Sequence, residues 1–162
     1  MYRLIFMIWL AFGLAPSASA EEYSTHLSAH GASLATLTFG TILLYGELSA
    51  SLQNKSHDSK YVITRAMGVA NTVGITRDEM RKIIAAGQAG NSISSLKEFI
   101  SLLESLQFQG EALAGYAAKQ DANQAAAYRQ LHKENWDKVS SLLGLTDEIK
   151  AALEPAGGNL GL

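Results

Sequence analysis

The clearest helical pattern of this chain lies in residues 95–117, SLKEFISLLESLQFQGEALAGYA. Its apolar and small residues recur at heptad-like spacing, which is typical of a helix packed along one side against its neighbours; they are Leu96, Phe99, Leu103, Leu106, Gly110, Leu113 and Ala117. The bulky side chains give way to Gly110 and Ala117, so a neighbouring helix could approach more closely at that end. A capping box, Ser95-Leu96-Lys97-Glu98, predicts the start of this helix.

Three further helices are predicted on the N-terminal side of this one. The first runs from Ser24 or Thr25 to about Asn54, and the second follows a polar link over residues 54–59 and stops at Gly74. A second capping box occupies residues 76–79, TRDE, with Ile75 and Met80 spaced as a hydrophobic staple. It predicts a separate short helix that ends at Gly87 or Gly90.

The first helix is expected to be the central one, covered on most sides. Its apolar positions recur at helical spacing around much of its circumference; they are Leu27, Leu34, Leu37, Thr41, Leu44 and Leu48, widened by Phe39, Ile42, Leu43 and Tyr45.

The C-terminal part predicts one long and one short helix. Residues 121–124 give a helix start, and an apolar stripe then leads to Gly144; its members are Ala125, Tyr128, His132, Trp136, Val139 and Leu143. A short helix is expected from Thr146 to Glu154, followed by a flexible Gly-rich tail over 156–162. Residues 21–155 therefore predict an all-α domain, an up-and-down helical bundle of about four main helices plus two short helices.

Residues 1–20, MYRLIFMIWLAFGLAPSASA, read as a secretory signal peptide. Arg3 supplies the positive n-region, residues 4–14 form an apolar run, and Ala18-Ser19-Ala20 offers a small-residue cleavage site. We therefore expect an exported protein of the periplasm or the extracellular space that begins near Glu21. An uncleaved membrane anchor is the alternative.

Composition excludes several classes of protein. The chain of 162 residues has no cysteine, so it forms no disulfide, thiolate metal site or c-type haem attachment. It has 13 Lys and Arg against 15 Asp and Glu, without a basic stripe. Nucleic acid and anionic membrane surfaces are therefore poor partners for it.

Residues 31–46 carry no charge, so this segment could be interpreted as a membrane span. It is shorter than the roughly 20 residues that a span needs, and it contains Ser33, Thr36, Thr38 and Thr41. A buried bundle helix is favoured, with no stable membrane span after signal cleavage.

The sharpest chemical pattern is Glu22, His26 and His30. Spaced at i, i+4 and i+8, they share one side of a helix and could bind a divalent metal. The spacing is unspecific, and solvated or capping histidines are the favoured interpretation. His132, on the apolar stripe of the last long helix, is a weak candidate for a haem ligand. A hydrogen-bonded histidine at the edge of the core is favoured there.

No pattern specifies a reaction. The sequence has no GxSxG, no SxxK and no pair of Glu-x-x-His motifs for a di-iron centre. Tyr116, Tyr128 and Trp136 could anchor a protein partner, or they could pack at the edge of the core.

The expected function is therefore that of an exported, non-enzymatic helical bundle without a cofactor. Its partner would be another protein, an envelope component or a second copy of the chain. The alternative is a small bundle that binds a divalent metal or haem through Glu22, His26 and His30, or through His132. An enzyme ranks third.

Overall fold

In the part of the chain that the structure describes, the fold is a bundle of four long helices and one short one. The computed structural model describes the backbone of residues 20–90 and 93–153, and the side chains of residues 33–90, 93–149 and 151. Within these ranges all regular structure is helical: α1 (Ala20–Gln53), α2 (Ser59–Ala85), α3 (Ile93–Lys119), α4 (Ala122–Leu142) and α5 (Asp147–Leu153). The predicted all-α class is confirmed. The predicted signal peptide, apart from Ala20, and the predicted tail lie outside the described residues.

Helices α2 and α3 form an antiparallel pair. Arg77 donates to the side chain of Gln107 at 2.7 Å, and one turn later Arg81 reaches Glu104 at 3.4 Å. The numbering therefore rises along α2 while it falls along α3, as the short link between them requires.

Helix α4 closes the bundle against α1, again antiparallel. The Tyr128 hydroxyl donates to the backbone carbonyl of Tyr45 at 2.9 Å. The rings of Phe39 and Trp136 stack with centroids 5.6 Å apart. Each helix thus runs against its neighbours along the chain, and the up-and-down order is confirmed.

The predicted boundary at residues 76–79 is wrong, because α2 continues through it. Gly74 is buried within the helix, and Thr76 donates its hydroxyl back to the carbonyl of Thr72 at 3.0 Å instead of capping a new helix. Val73 and Met80 lie on either side of the expected break and are both buried. Burial of this continuous apolar side stabilises the helix more than a cap at residue 76 would. One of the two predicted short helices is therefore the second half of α2.

The expectation that the first helix is central is also wrong. In α1 the fully buried apolar side chains are Ile42 and Tyr45, whereas Leu37 is 39% exposed. Helix α3 holds the central position. It makes the most extensive contacts, with α2 and α4, whereas α1 packs against all three other long helices less extensively. The seam predicted for α3 is buried, with Phe99 partly so.

The ends of α4 match the prediction. The carboxylate of Asp121 accepts from the backbone N–H groups of Asn123 and Gln124 at 2.7 and 3.2 Å, which is an N-cap. At the other end Gly144 adopts φ 63° and closes a Schellman motif. Thr146 then accepts from the N–H of Ile149 at 3.4 Å and starts α5.

The core consists of two apolar clusters that lie toward opposite ends of the bundle. One contains Tyr45, Leu113 and Tyr128, and the other contains Ile42, Leu106 and Trp136. Between the two clusters the buried side chains of α3 and α4 are polar: Gln109 in α3, and His132 and Asn135 in α4. Within the described ranges, no helix has the length and hydropathy that a membrane crossing needs.

Candidate functional site

Glu22, His26 and His30 lie on the α1 backbone. Because this segment is continuously helical, positions spaced by four residues fall on one side of it. The side chains of all three lie outside the described residues, so their metal site stays a prediction. Among the side chains that the structure does describe, no group of three or more His, Cys, Asp or Glu could hold a metal ion.

His132 lies in the polar layer between the two apolar clusters. It is 4% exposed, and its Nδ1 accepts from the side-chain amide of Gln109 at 2.8 Å. The carbonyl oxygen of the same amide accepts from Asn135 at 2.9 Å. Gln109 and Asn135 are both fully buried. One amide of α3 thus ties together two side chains of α4 inside the bundle.

The His132 imidazole is held neutral. Burial lowers its pKa from the ordinary 6.5 to about 4, because the charged ring would lose its hydration. Since Nδ1 accepts a hydrogen bond, the single proton is on Nε2, which is buried and has no partner among the described residues. In this tautomer Nε2 has no lone pair for a metal. A haem-ligating role for His132 requires Gln109 and Asn135 to reverse their amides, and it stays a prediction.

Two buried tyrosines adjoin the polar layer. The ring of Tyr128 stacks on His132 with centroids 5.6 Å apart. Burial raises the pKa of both Tyr128 and Tyr45, so neither phenol ionises in the folded protein at neutral pH. The Tyr45 hydroxyl is buried without a hydrogen-bond partner among the described residues.

The sequence did not reveal the partner of His132. The neighbouring Phe108 is 52% exposed while Gln109 is buried, which reverses the order that their hydropathy predicts. The packing of α3 against α4 explains why Gln109 is buried, because its side-chain amide hydrogen-bonds His132 and Asn135 of α4.

The aromatic candidates are part of the core. Tyr128 and Trp136 are 0% and 3% exposed, and Tyr116 is 8% exposed. The sequence left open whether these residues anchor a partner or pack in the core. In this structure all three pack in the core. Tyr116 also lines a groove at one end of the bundle.

This end groove is formed where α1 passes into α2 and α3 passes into α4. It is open to solvent and has a volume of about 890 Å³. Its lining residues come from three helices and two loops: Leu52, Gln53, Lys55, His57, Asp58, Ser59, Tyr116 and Gln120. Only Tyr116 was considered from the sequence, as a possible anchor for a protein partner. The others were not predicted, because the sequence does not show that the two loops meet.

Two residues of the end groove adopt left-handed backbone conformations. Lys55 has φ 57° and Gln120 has φ 53°, and no other non-glycine residue in the described ranges has a positive φ. The helix ends at the opposite end of the bundle use glycine in this conformation, with φ 69° at Gly87 and 63° at Gly144. A side chain in this conformation costs about 1–2 kcal/mol relative to the right-handed one, and glycine avoids the penalty. The two costly side chains line the same groove.

The acidic residues of the end groove are engaged by the backbone. Asp58 accepts from the N–H of Tyr61 at 2.7 Å and caps α2, as Asp121 caps α4 in the adjoining loop. Lys55 in the first loop, Lys60 at the start of α2 and Lys119 at the end of α3 are exposed. None of them makes an ion pair within the described part of the chain.

An aromatic pair stands beside the groove. The rings of His57 and Tyr61 stack with centroids 4.2 Å apart and planes inclined by 19°. Tyr61 is 42% exposed, so a ring face or edge is available to solvent. The Nδ1 of His57 also lies 3.5 Å from the hydroxyl of Ser56.

Comparison of the chain with models of protein families, with curated proteins and with solved structures finds no match. Function must therefore be argued from the residues described above.

Proposed function

We propose that the mature chain is an exported, non-enzymatic helical-bundle protein that binds another protein or an envelope component at the end groove. The observation that carries this proposal is the pair of left-handed side chains at Lys55 and Gln120. Strained backbone of this kind tends to occur where a side chain is needed for recognition.

The proposal that the protein is not an enzyme rests on the positions of the side chains whose pKa values are shifted. The groups whose pKa values shift most are His132, Tyr45 and Tyr128, and all three are packed in the core. Perturbed groups of enzymes cluster instead in a cleft that admits substrate. Export rests on the pattern of residues 1–20.

Two measurements test this proposal. The mass of the protein purified from its source should correspond to a chain that begins at Glu21. A photo-crosslinking amino acid at Gln120 should capture a partner in the envelope fraction, while the same probe at Lys138, exposed near the opposite end of α4, should not. An intact N-terminus, or equal capture from both positions, would contradict the proposal.

The alternative is a bundle that carries a metal or haem. The observation in its favour is the buried Nε2 of His132, which has no hydrogen-bond partner among the described residues and would gain a lone pair if the amides of Gln109 and Asn135 reversed. Native mass spectrometry of protein purified without chelator decides between the two functions. The binding proposal would be replaced if the mass exceeded that of the chain by a metal or a haem and if this excess disappeared on substitution of His26 and His30 or of His132. The bare mass would retain it.

A further inference from the structure

Buried polar atoms without a hydrogen-bond partner are concentrated on α4. In the part of the chain that the structure describes, six buried side-chain N or O atoms have no such partner, and four of them belong to α4. They are His132 Nε2, Asn135 Oδ1, Trp136 Nε1 and Ser140 Oγ. Residues spaced by three, four and eight positions lie along one side of a helix. The inner side of α4 therefore contains polar groups that the helices packed against it do not satisfy.

The packing of α4 is also less apolar than that of α3. Three of the seven buried residues of α4 are polar, namely His132, Asn135 and Ser140, whereas Gln109 alone is polar among the twelve buried residues of α3. A buried polar group without a partner destabilises the packed state, because it has lost its hydrogen bonds to water. Separation of α4 from the bundle restores those bonds and so offsets part of the cost of exposing its apolar side chains.

Helices α2 and α3 hold each other more firmly. Their contact is the most extensive between any two of the described helices. The buried residues of α2 are all apolar or glycine. Arg77 donates to the side chain of Gln107, and Arg81 pairs with Glu104, both across this contact. The α2–α3 pair is therefore the part of the bundle that stays folded when α4 separates from it.

The two links of α4 allow it to move without unfolding its neighbours. Residues 120–121 join it to α3 and residues 143–146 join it to α5, and all six are exposed or partly exposed. On α3 the side covered by α4 contains Gln109, with Leu106 and Leu113 about one turn to either side. Both leucines are fully buried or nearly so. Departure of α4 therefore uncovers an apolar side of α3.

We propose that α4 is a movable strap, which separates from α1 and α3 as a unit while the α2–α3 pair stays folded. The hydrogen bonds from Gln109 to His132 and from Asn135 to Gln109 define its closed position. The unpartnered polar atoms on its inner side favour the open one. This inference goes beyond binding at the end groove and does not depend on any ligand there.

The test is amide hydrogen exchange of the folded protein, followed residue by residue by NMR with and without low concentrations of urea. Ser140→Ala removes one of the unpartnered hydroxyls. Ser141→Ala is its matched control, because Ser141 is the next residue of α4 and is exposed. Both changes raise the helix propensity equally, so the two variants differ only in the buried hydroxyl.

We expect the amides of residues 125–142 to exchange at least about tenfold faster than the slowest amides of α2 and α3. Low urea should accelerate exchange less in α4 than in the α2–α3 pair, since opening one helix exposes less surface than global unfolding. Ser140→Ala should slow exchange in α4 about fivefold relative to Ser141→Ala, because a buried polar group without a partner is removed.

A further variant tests whether the two parts open independently. Val73 is a buried residue of α2, a helix that makes little contact with α4. Val73→Ala should accelerate exchange in α2 and α3 about tenfold and leave exchange in α4 unchanged, because opening of α4 leaves the α2–α3 pair intact.

Three results would overturn the inference. Equal protection of α4 and of the α2–α3 pair would show that α4 does not open by itself. Equal exchange of α4 in the Ser140→Ala and Ser141→Ala variants would show that the buried hydroxyl does not favour opening. Acceleration of α4 by Val73→Ala to the same extent as α2 would show that the helices open together.

Discussion

Gly110 is the position where one methyl group should do the most damage. It lies in the middle of α3, and a Cβ atom added there would contact the hydroxyl of Tyr45, approach the Cζ atom of that ring to 2.7 Å and approach the Cβ of Ala70 to 3.0 Å. Tyr45 is fully buried, so its ring cannot swing away into solvent. The ring or a helix must move.

The size of the effect follows from two opposing terms. Overpacking of this kind costs about 1–3 kcal/mol, while alanine gains about 1 kcal/mol over glycine in a helix. Gly110→Ala should therefore lower the free energy of unfolding by up to about 2 kcal/mol. Gly68→Ala is the matched control, because a Cβ at this exposed position in α2 meets nothing within 4 Å. It should stabilise the protein by about 1 kcal/mol.

Urea unfolding of both variants measures the difference, and a melting curve should separate them by several degrees. Tyr45→Phe sharpens the test, since it removes the atom nearest to the added methyl group. In the Tyr45→Phe background Gly110→Ala should do less damage, by roughly 1 kcal/mol. If Gly110→Ala were as stable as Gly68→Ala, the close contact between Tyr45 and α3 would be refuted.

Three other predictions concern the described residues. The pKa of His132 falls from 6.5 in the unfolded chain to about 4 in the folded protein. The free energy of unfolding should therefore be highest above pH 6.5 and should fall by about 3 kcal/mol as the pH drops from 6.5 through 4. Unfolding at several pH values checks this, and a His132→Gln variant with the same acid dependence would contradict it. Lys55→Gly should stabilise the fold by about 0.5–1 kcal/mol, because relief of the left-handed side chain exceeds the added entropy of an unfolded glycine; a lower melting temperature would argue against the strain. Asp121→Ala should lower the free energy of unfolding by about 1 kcal/mol, because the N-cap of α4 is lost. Thr76→Ala should leave it unchanged or raise it in the same denaturation assay. An equal loss for both variants would indicate that Thr76 caps a helix after all.

The sequence predicted those parts of the fold that depend on local chemistry. The cap at Asp121, the stop at Gly144 and the buried seam of α3 follow from short-range patterns, and the structure confirms all three. The boundary at Thr76 was wrong because packing of Val73 and Met80 extends α2 across it. Local capping contributes about 1 kcal/mol, and the burial of two large side chains contributes more.

The candidate site could not be predicted in the same way. Lys55 and Gln120 lie 65 positions apart in the sequence and share a groove only because two turns meet at one end of the bundle. Their left-handed conformations carry no signal in the residue types, since glycine or asparagine would be the expected choice. Gln109 was missed for a related reason: its value as a core residue depends on side chains of another helix.

The buried amide of Gln109 also fixes how far α4 can slide along α3. A shift of one helical turn, about 5.4 Å, would move both His132 and Asn135 out of its reach. Three buried side chains would then each lose a hydrogen bond, at about 1–3 kcal/mol apiece. The polar layer therefore selects a single register for the bundle.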